Sequence, residues 1–156
     1  MATQREQLWM SAGEVDAFLR SHWTMVLGTI GRDHQPHLVT MAYGFFEGCL
    51  AFTSYAKAQK MVNIRRDPRI TCLVEDIGSA YAEIRGVQIT GHAEVIDDAA
   101  RVLAVLECVR AQMVSTGRAS PDTGATPDYI AAKRLAVKLR VGRTISWDHG
   151  RLGGKY

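Results

Sequence analysis

Cysteine, proline and long apolar runs are scarce in this chain, and each shortage removes a class of protein. The three cysteines, Cys49, Cys72 and Cys108, lie far apart with no CxxC pair and no neighbour at metal-knuckle spacing. Neither a disulfide framework nor a zinc ribbon is expected, and all three read as reduced, buried thiols. Four prolines and no Gly-X-Y period rule out a collagen-like chain. No run reaches the roughly 18 apolar residues of a membrane span, and the N-terminus lacks the uninterrupted apolar stretch of a signal peptide. A soluble, cytoplasmic protein without a membrane partner is expected. GxGxxG after a strand and GxxxxGK[ST] are both missing, and Gly150, Gly153 and Gly154 follow the last expected strand and precede no helix. His34 and His37 are three apart but have no third ligand at suitable spacing, so no metal is expected.

What remains is an ordinary globular composition: 156 residues, 47% hydrophobic and 22% charged. A chain of this length buries one sizeable core, and residues 1–156 read as a single domain. The net charge of +3 is small, but its distribution is uneven. Residues 57–69 carry a net +4 and residues 133–155 a net +6, which leaves the remainder at −7. Two short basic segments suit an anionic partner of limited size better than a long polyanion.

The order of elements favours an antiparallel barrel over a doubly wound sheet. Ser11 and Glu14 form a capping box for a helix to His22, with Val15, Phe18 and Leu19 on one stripe. Strands are expected at 24–30 and 36–43 around a turn at Gly31 to His34, then a second turn from Gly44 to Gly48 and a strand at 49–53. A helix from Lys57 to Arg66 stops at Asp67-Pro68, and a strand follows at 69–75. Residues 80–96 alternate as one bent strand or two, with Gly86 and Gly91 as candidate bulges. Asp97 or Asp98 caps a helix to Val114, a loop spans 115–125, Thr126-Pro127 starts a helix to about Leu135, and 136–147 is the last strand before a polar, Gly-rich tail.

The segment Phe52-Thr53-Ser54-Tyr55-Ala56-Lys57-Ala58-Gln59-Lys60 carries the chemistry. A strand ends in two hydroxyl residues and enters a helix whose start offers free N–H groups and the positive end of a dipole. Lys57 and Lys60, three apart, would share a helix face beside Thr53 and Ser54, and a phosphate fits such a site.

The chain resembles the pyridoxamine-phosphate-oxidase-like, FMN-binding split-barrel proteins, including the branch that uses the deazaflavin coenzyme F420. The resemblance covers about residues 11–152. It runs through Leu27-Gly28-Thr29-Ile30, Gln35-Pro36-His37-Leu38-Val39, Phe52-Thr53-Ser54, Lys60, Asn63-Ile64-Arg65-Arg66-Asp67-Pro68, Gly86 to Glu94 and Ser146-Trp147-Asp148-His149. It implies a mainly β, six-stranded antiparallel split barrel with peripheral helices, homodimeric, with cofactor at the interface. It further implies that His37, Val39, Thr40 and Met41 line the coenzyme ring, that Thr53, Ser54, Lys57 and Lys60 hold its phosphate, and that Trp147 reaches it near the dimer interface.

Departures from the oxidase pattern direct the functional expectation. Ala42 stands in place of a lysine, Gln59 of an arginine and Gly86 of a glutamine, and the tail at Arg151-Leu152-Gly153 lacks the histidine and second arginine that grip pyridoxal phosphate. Because those polar side chains are missing while the basic segments are present, the resemblance implies a reductase that passes hydride from reduced F420 to an unsaturated or carbonyl-bearing small molecule. FMN is the alternative coenzyme. Such chemistry needs no catalytic side chain, although His37, His149 and Tyr43 are available proton donors. A non-enzymatic flavin store or haem-binding split barrel, with His149 as iron ligand, is the other class. The basic stretch from Lys138 to Arg143 lacks stacking aromatics, so no nucleic-acid partner is expected.

Overall fold

The computed structural model describes residues 4–119 and 126–153. Two short helices open the chain, α1 (Gln4–Gln7) and α2 (Ala12–Arg20), followed by β1 (Thr24–Ile30), β2 (Pro36–Ala42), β3 (Gly44–Phe46) and β4 (Cys49–Tyr55). Then come α3 (Gln59–Arg66), β5 (Arg69–Asp76), β6 (Arg85–Ile96), α4 (Ala99–Ser115), α5 (Pro127–Ala131) and β7 (Arg134–Asp148). Residues 120–125 of the loop expected at 115–125, and the tail residues Gly154, Lys155 and Tyr156, lie outside the described residues.

All seven strands form one antiparallel sheet in the order β2-β1-β5-β6-β7-β4-β3. The two edge strands are consecutive in the chain, with Tyr43 alone between them, so the sheet curls until its edges meet end to end at that residue. This is why seven strands appear where six were expected. Tyr43 N–H donates to the Trp23 carbonyl, just before the start of β1, and its buried hydroxyl bonds the Leu19 carbonyl, which anchors the point where β2 passes into β3. Burial drives that phenol's pKa above the usual tyrosine range.

Local chemistry accounts for the elements that were anticipated and for those that were not. Ser11 and Glu14 form the reciprocal capping box of α2, and Arg151 clasps the Glu14 carboxylate from the other end of the chain. These partners hold the Glu14 carboxyl down to about 2. Only Glu47 and Gly48 turn between β3 and β4, both with positive φ, the signature of a tight two-residue hairpin, so the expected Gly44 to Gly48 turn is mostly strand. Tyr81–Glu83 is a 3₁₀ turn and not the start of a strand. The bulge lies at Thr90/Gly91, as the glycine implied, whereas Gly86 marks a close approach of Trp147 instead. The helix expected to reach Leu135 ends at Ala131, because Arg134 and Leu135 are already paired with Tyr55 and Ser54 of β4.

The curled sheet encloses one apolar interior that includes Leu27, Phe52, Met61, Ile64, Cys72, Val74, Val87 and Leu139, with Phe18 and Leu19 of α2 closing it. Burial pushes the Cys72 thiol up to about 12, an inert group, while Cys49 and Cys108 are only half-buried. A second cluster lies outside the sheet, where Val102, Val105, Val109 and Met113 of α4 cover Ala51 of β4 and Ala136 of β7. Gln112 interrupts this apolar stripe for a reason: its Nε2 donates to the carbonyls of Arg20 (2.9 Å) and His22 (2.6 Å), closing the C-terminus of α2. Gln112→Leu is expected to strand those acceptors and lower stability by about 1–3 kcal/mol, measured by urea unfolding.

Candidate functional site

Strand alternation separates the two hydroxyl residues that end β4. Leu50 and Phe52 face the interior and Ala51 faces α4, so Ser54 points inward while Thr53 points to the α4 side. The structure therefore does not bring Thr53 and Ser54 together toward one anion. Lys57 moves too. Ala58 N–H closes a turn onto the Tyr55 carbonyl, and Ala58 is the N-cap of α3, which leaves Lys57 exposed ahead of the helix and off the Lys60 face.

The second cation beside Thr53 comes from β7. Arg134 Nη1 donates to Thr53 Oγ1 (3.3 Å), and the guanidinium lies over the Tyr55 ring at 4.4 Å. Arg134 Nε is buried without a hydrogen-bond partner. Lys60, in the first turn of α3, has its pKa lowered by burial and then by the charge of Arg134. Among the described residues no carboxylate pairs with either cation. Two neighbouring, partly desolvated positive groups beside a hydroxyl, with one N–H unsatisfied, fit an anion as third member.

A cavity of about 290 Å³ adjoins this cluster, between Thr40, Met41 and Ala42 of β2, Thr53 and Arg134, and Leu106, Val109 and Met113 of α4. Its apolar wall and cationic end suit a ring system that carries a phosphate. The structure thus brings Thr40, Met41, Thr53 and Lys60 to one region. Val39 and Met41 both pack against the interior core, Met41 alone of the two also lining the cavity, and His37 turns toward Thr29 on β1. Trp147 lies near the far end of β7, its indole set on the backbone of Gly86, where any Cβ would strike the ring. Within one chain it is not part of the Thr53 cluster. In the sequence Arg134 is only one basic residue among seven in the C-terminal segment. Its position opposite Tyr55, visible once the β4–β7 register is known, is what gives it a role.

On a different face, a groove of about 660 Å³ crosses the outside of the sheet over Gly28, Thr71, Gly91 and Gly142. Leu38 and Val141 stand 66% and 57% exposed on the strands that frame this groove. The apolar residues of β6, by contrast, are mostly covered within the chain, with Val87 and Ile89 inside the barrel and Ile96 in the cluster under α4.

A curled antiparallel sheet with peripheral helices defines a split-barrel class of fold. The Pyridoxamine 5'-phosphate oxidase family matches residues 11–138, and the chain belongs to that family. No curated protein matches by sequence. Among solved structures, the conserved hypothetical protein Rv2991 of Mycobacterium tuberculosis is 37% identical, covers 99% of this chain and 95% of its own, and superposes with a TM-score of 0.84. An F420 reductase shares the fold at 20% identity, over 83% of this chain and 94% of its own, with a TM-score of 0.64. A haem-binding protein from Mycobacterium smegmatis does so at 17% identity, over 88% of this chain and 57% of its own, with a TM-score of 0.64. No described helix is long and apolar enough to cross a membrane.

Proposed function

We propose that this protein is a homodimeric, F420-dependent reductase of small unsaturated or carbonyl compounds. The observation that carries the reading is Arg134, which lines the end of an apolar cavity with a buried unsatisfied N–H and, among the described residues, no carboxylate partner, while Lys60 lies close enough to feel its charge. Lys60, Arg134 and Thr53 hold the coenzyme phosphate, and β2 around Thr40 and Met41 lines its ring. When bound and reduced, the coenzyme supplies the hydride. The side chains of this protein orient the ring, exclude water and stack the substrate, and none of them is assigned a covalent step. The exposed Leu38 and Val141 support a second copy as the cover of the outer sheet face. Trp147 of that copy would then approach the first copy's coenzyme.

F420 ranks ahead of FMN because Ala42, Gln59 and Gly86 replace polar oxidase residues while the basic segments remain, and F420 carries an acidic tail that FMN lacks. Titration of the apoprotein with F420 and FMN side by side, followed by reoxidation of each reduced coenzyme by enones, quinones and tetrapyrroles, is the deciding experiment. F420 affinity is expected to fall clearly between low and moderate salt, since exposed charge pairs are screened beyond about 8–10 Å, and FMN affinity to fall less. Tight FMN binding with turnover of pyridoxamine phosphate and no F420 affinity would reverse the assignment. A Soret band in the purified protein would replace it with the haem-binding reading.

A further inference from the structure

Four polar side chains stand in line between α3 and β2, two of them buried at the edge of the apolar interior. Gln59 Nε2 donates to Asn63 Oδ1 (2.9 Å), and Asn63 Nδ2 donates to Thr29 Oγ1 (3.0 Å). Thr29 Oγ1 in turn lies 3.3 Å from His37 Nδ1 and 3.5 Å from the His37 carbonyl oxygen. Asn63 is 0% and Thr29 3% exposed. Burying an amide and a hydroxyl costs free energy unless both are bonded, and here side chains, not the backbone ladder, provide the bonds. Valine at 29 and leucine at 63 would fill similar space without any such requirement, so core packing alone does not account for the row.

The donors have a fixed direction as far as Thr29. Gln59 occupies the Asn63 oxygen, which turns the Asn63 N–H toward Thr29 and fills one lone pair of its hydroxyl. The Thr29 hydrogen must then be donated, and both acceptors in reach belong to His37. Donation to the nearer acceptor takes Nδ1 without a proton and so places the ring proton on Nε2, whereas donation to the carbonyl would leave the second lone pair of Thr29 for an Nδ1–H. Among the described residues Nε2 has no protein partner.

We propose that Asn63 and Thr29 are positioning residues that hold His37 in its Nε2–H tautomer, so that the start of β2 presents a fixed hydrogen-bond donor to a ring carbonyl or ring nitrogen of the bound ligand. The ligand part of this inference rests on the coenzyme reading above. The row begins at Gln59, next to Lys60 in the first turn of α3, so one helical turn carries both a phosphate-side cation and the origin of the clamp.

The test uses ¹⁵N-labelled full-length protein without ligand, in which long-range ¹H–¹⁵N correlations report each imidazole tautomer and loss of a signal in His37→Gln assigns this ring. Wild type is expected to show a single Nε2–H form with an unprotonated, accepting Nδ1. Thr29→Val should release the ring to a tautomer mixture, and Thr29→Ser should restore the lock. Affinity for F420 or FMN should fall roughly three- to tenfold in Thr29→Val and recover in Thr29→Ser; Thr29→Val, which leaves the buried Asn63 amide without its acceptor, should also unfold at lower temperature, and Thr29→Ser should restore it. An Nδ1–H ring in wild type, or a ring indifferent to Thr29→Val, overturns the clamp. A locked ring with equal affinities in wild type and Thr29→Val overturns the positioning role. If wild type binds neither coenzyme, the coenzyme reading and the ligand role fall together, while the spectrum of the unliganded protein still decides the clamp.

Discussion

Replacing Lys60 and Arg134 together by methionine is expected to weaken coenzyme binding by about 3–5 kcal/mol, a loss of two to four decades in affinity. Each charge-assisted hydrogen bond to phosphate contributes about 1.5–3 kcal/mol, and the pair supplies at least two. The single Lys60→Met variant separates binding from folding. Lys60 is half-buried beside another cation with no carboxylate to offset it, so methionine keeps its packing and removes the repulsion. Its Tm should rise by a few degrees while coenzyme affinity falls, the pattern of a residue kept for binding at some cost in stability. Isothermal titration and thermal unfolding on the same samples decide the matter. A lower Tm with unchanged affinity would show that Lys60 serves the fold.

Gly44→Ala is expected to produce a large loss of stability, roughly 3 kcal/mol or more by urea unfolding. A Cβ at Gly44 would fall well inside contact distance of the Cys108 carbonyl and the Val109 nitrogen, both in the backbone of α4. Side chains can swing aside, but a 17-residue helix seated on β3 and β4 cannot. Gly13→Ala is the matching control, because nothing lies within 4 Å of its Cβ position and it sits in α2, where alanine is the better helix former. That variant should be neutral or slightly stabilised.

The difference between these two glycines shows what a linear sequence conveys and what it withholds. Turn chemistry, the capping box at Ser11 and the Thr126-Pro127 start are written in neighbouring residues, and each is found where those residues place it. Gly44 reads as a turn glycine because the contact that requires it lies 64 positions away, at Cys108. The same applies to the site. Thr53 and Lys60 are legible as a strand-to-helix anion motif, but the choice of Thr53 over Ser54 depends on which face of β4 is inside. Arg134 becomes visible only through cross-strand register, since its separation of 81 positions from Thr53 leaves no local trace. Lys57 falls outside the site for a simpler reason: Ala58, with no capping side chain, starts α3, and no residue pattern marks that boundary. The row from Gln59 to His37 likewise joins three elements whose polar residues are unremarkable when read one at a time.

The pairing of β4 with β7 also dictates an order of events on the ribosome. β1 finds β2 as soon as both have emerged, but β4 has its short hairpin partner β3 on one side and nothing on the other until Arg134 and the residues after it are made. At roughly 5–20 residues per second, the 81 positions from Thr53 to Arg134 correspond to about 4–16 s of translation. During that interval an apolar strand end, Leu50 to Phe52, waits with one open edge, and the helix that will cover its outer face, α4, is still being synthesised for part of the time. The candidate site shares that delay, because its two cations lie on opposite sides of the last seam to close.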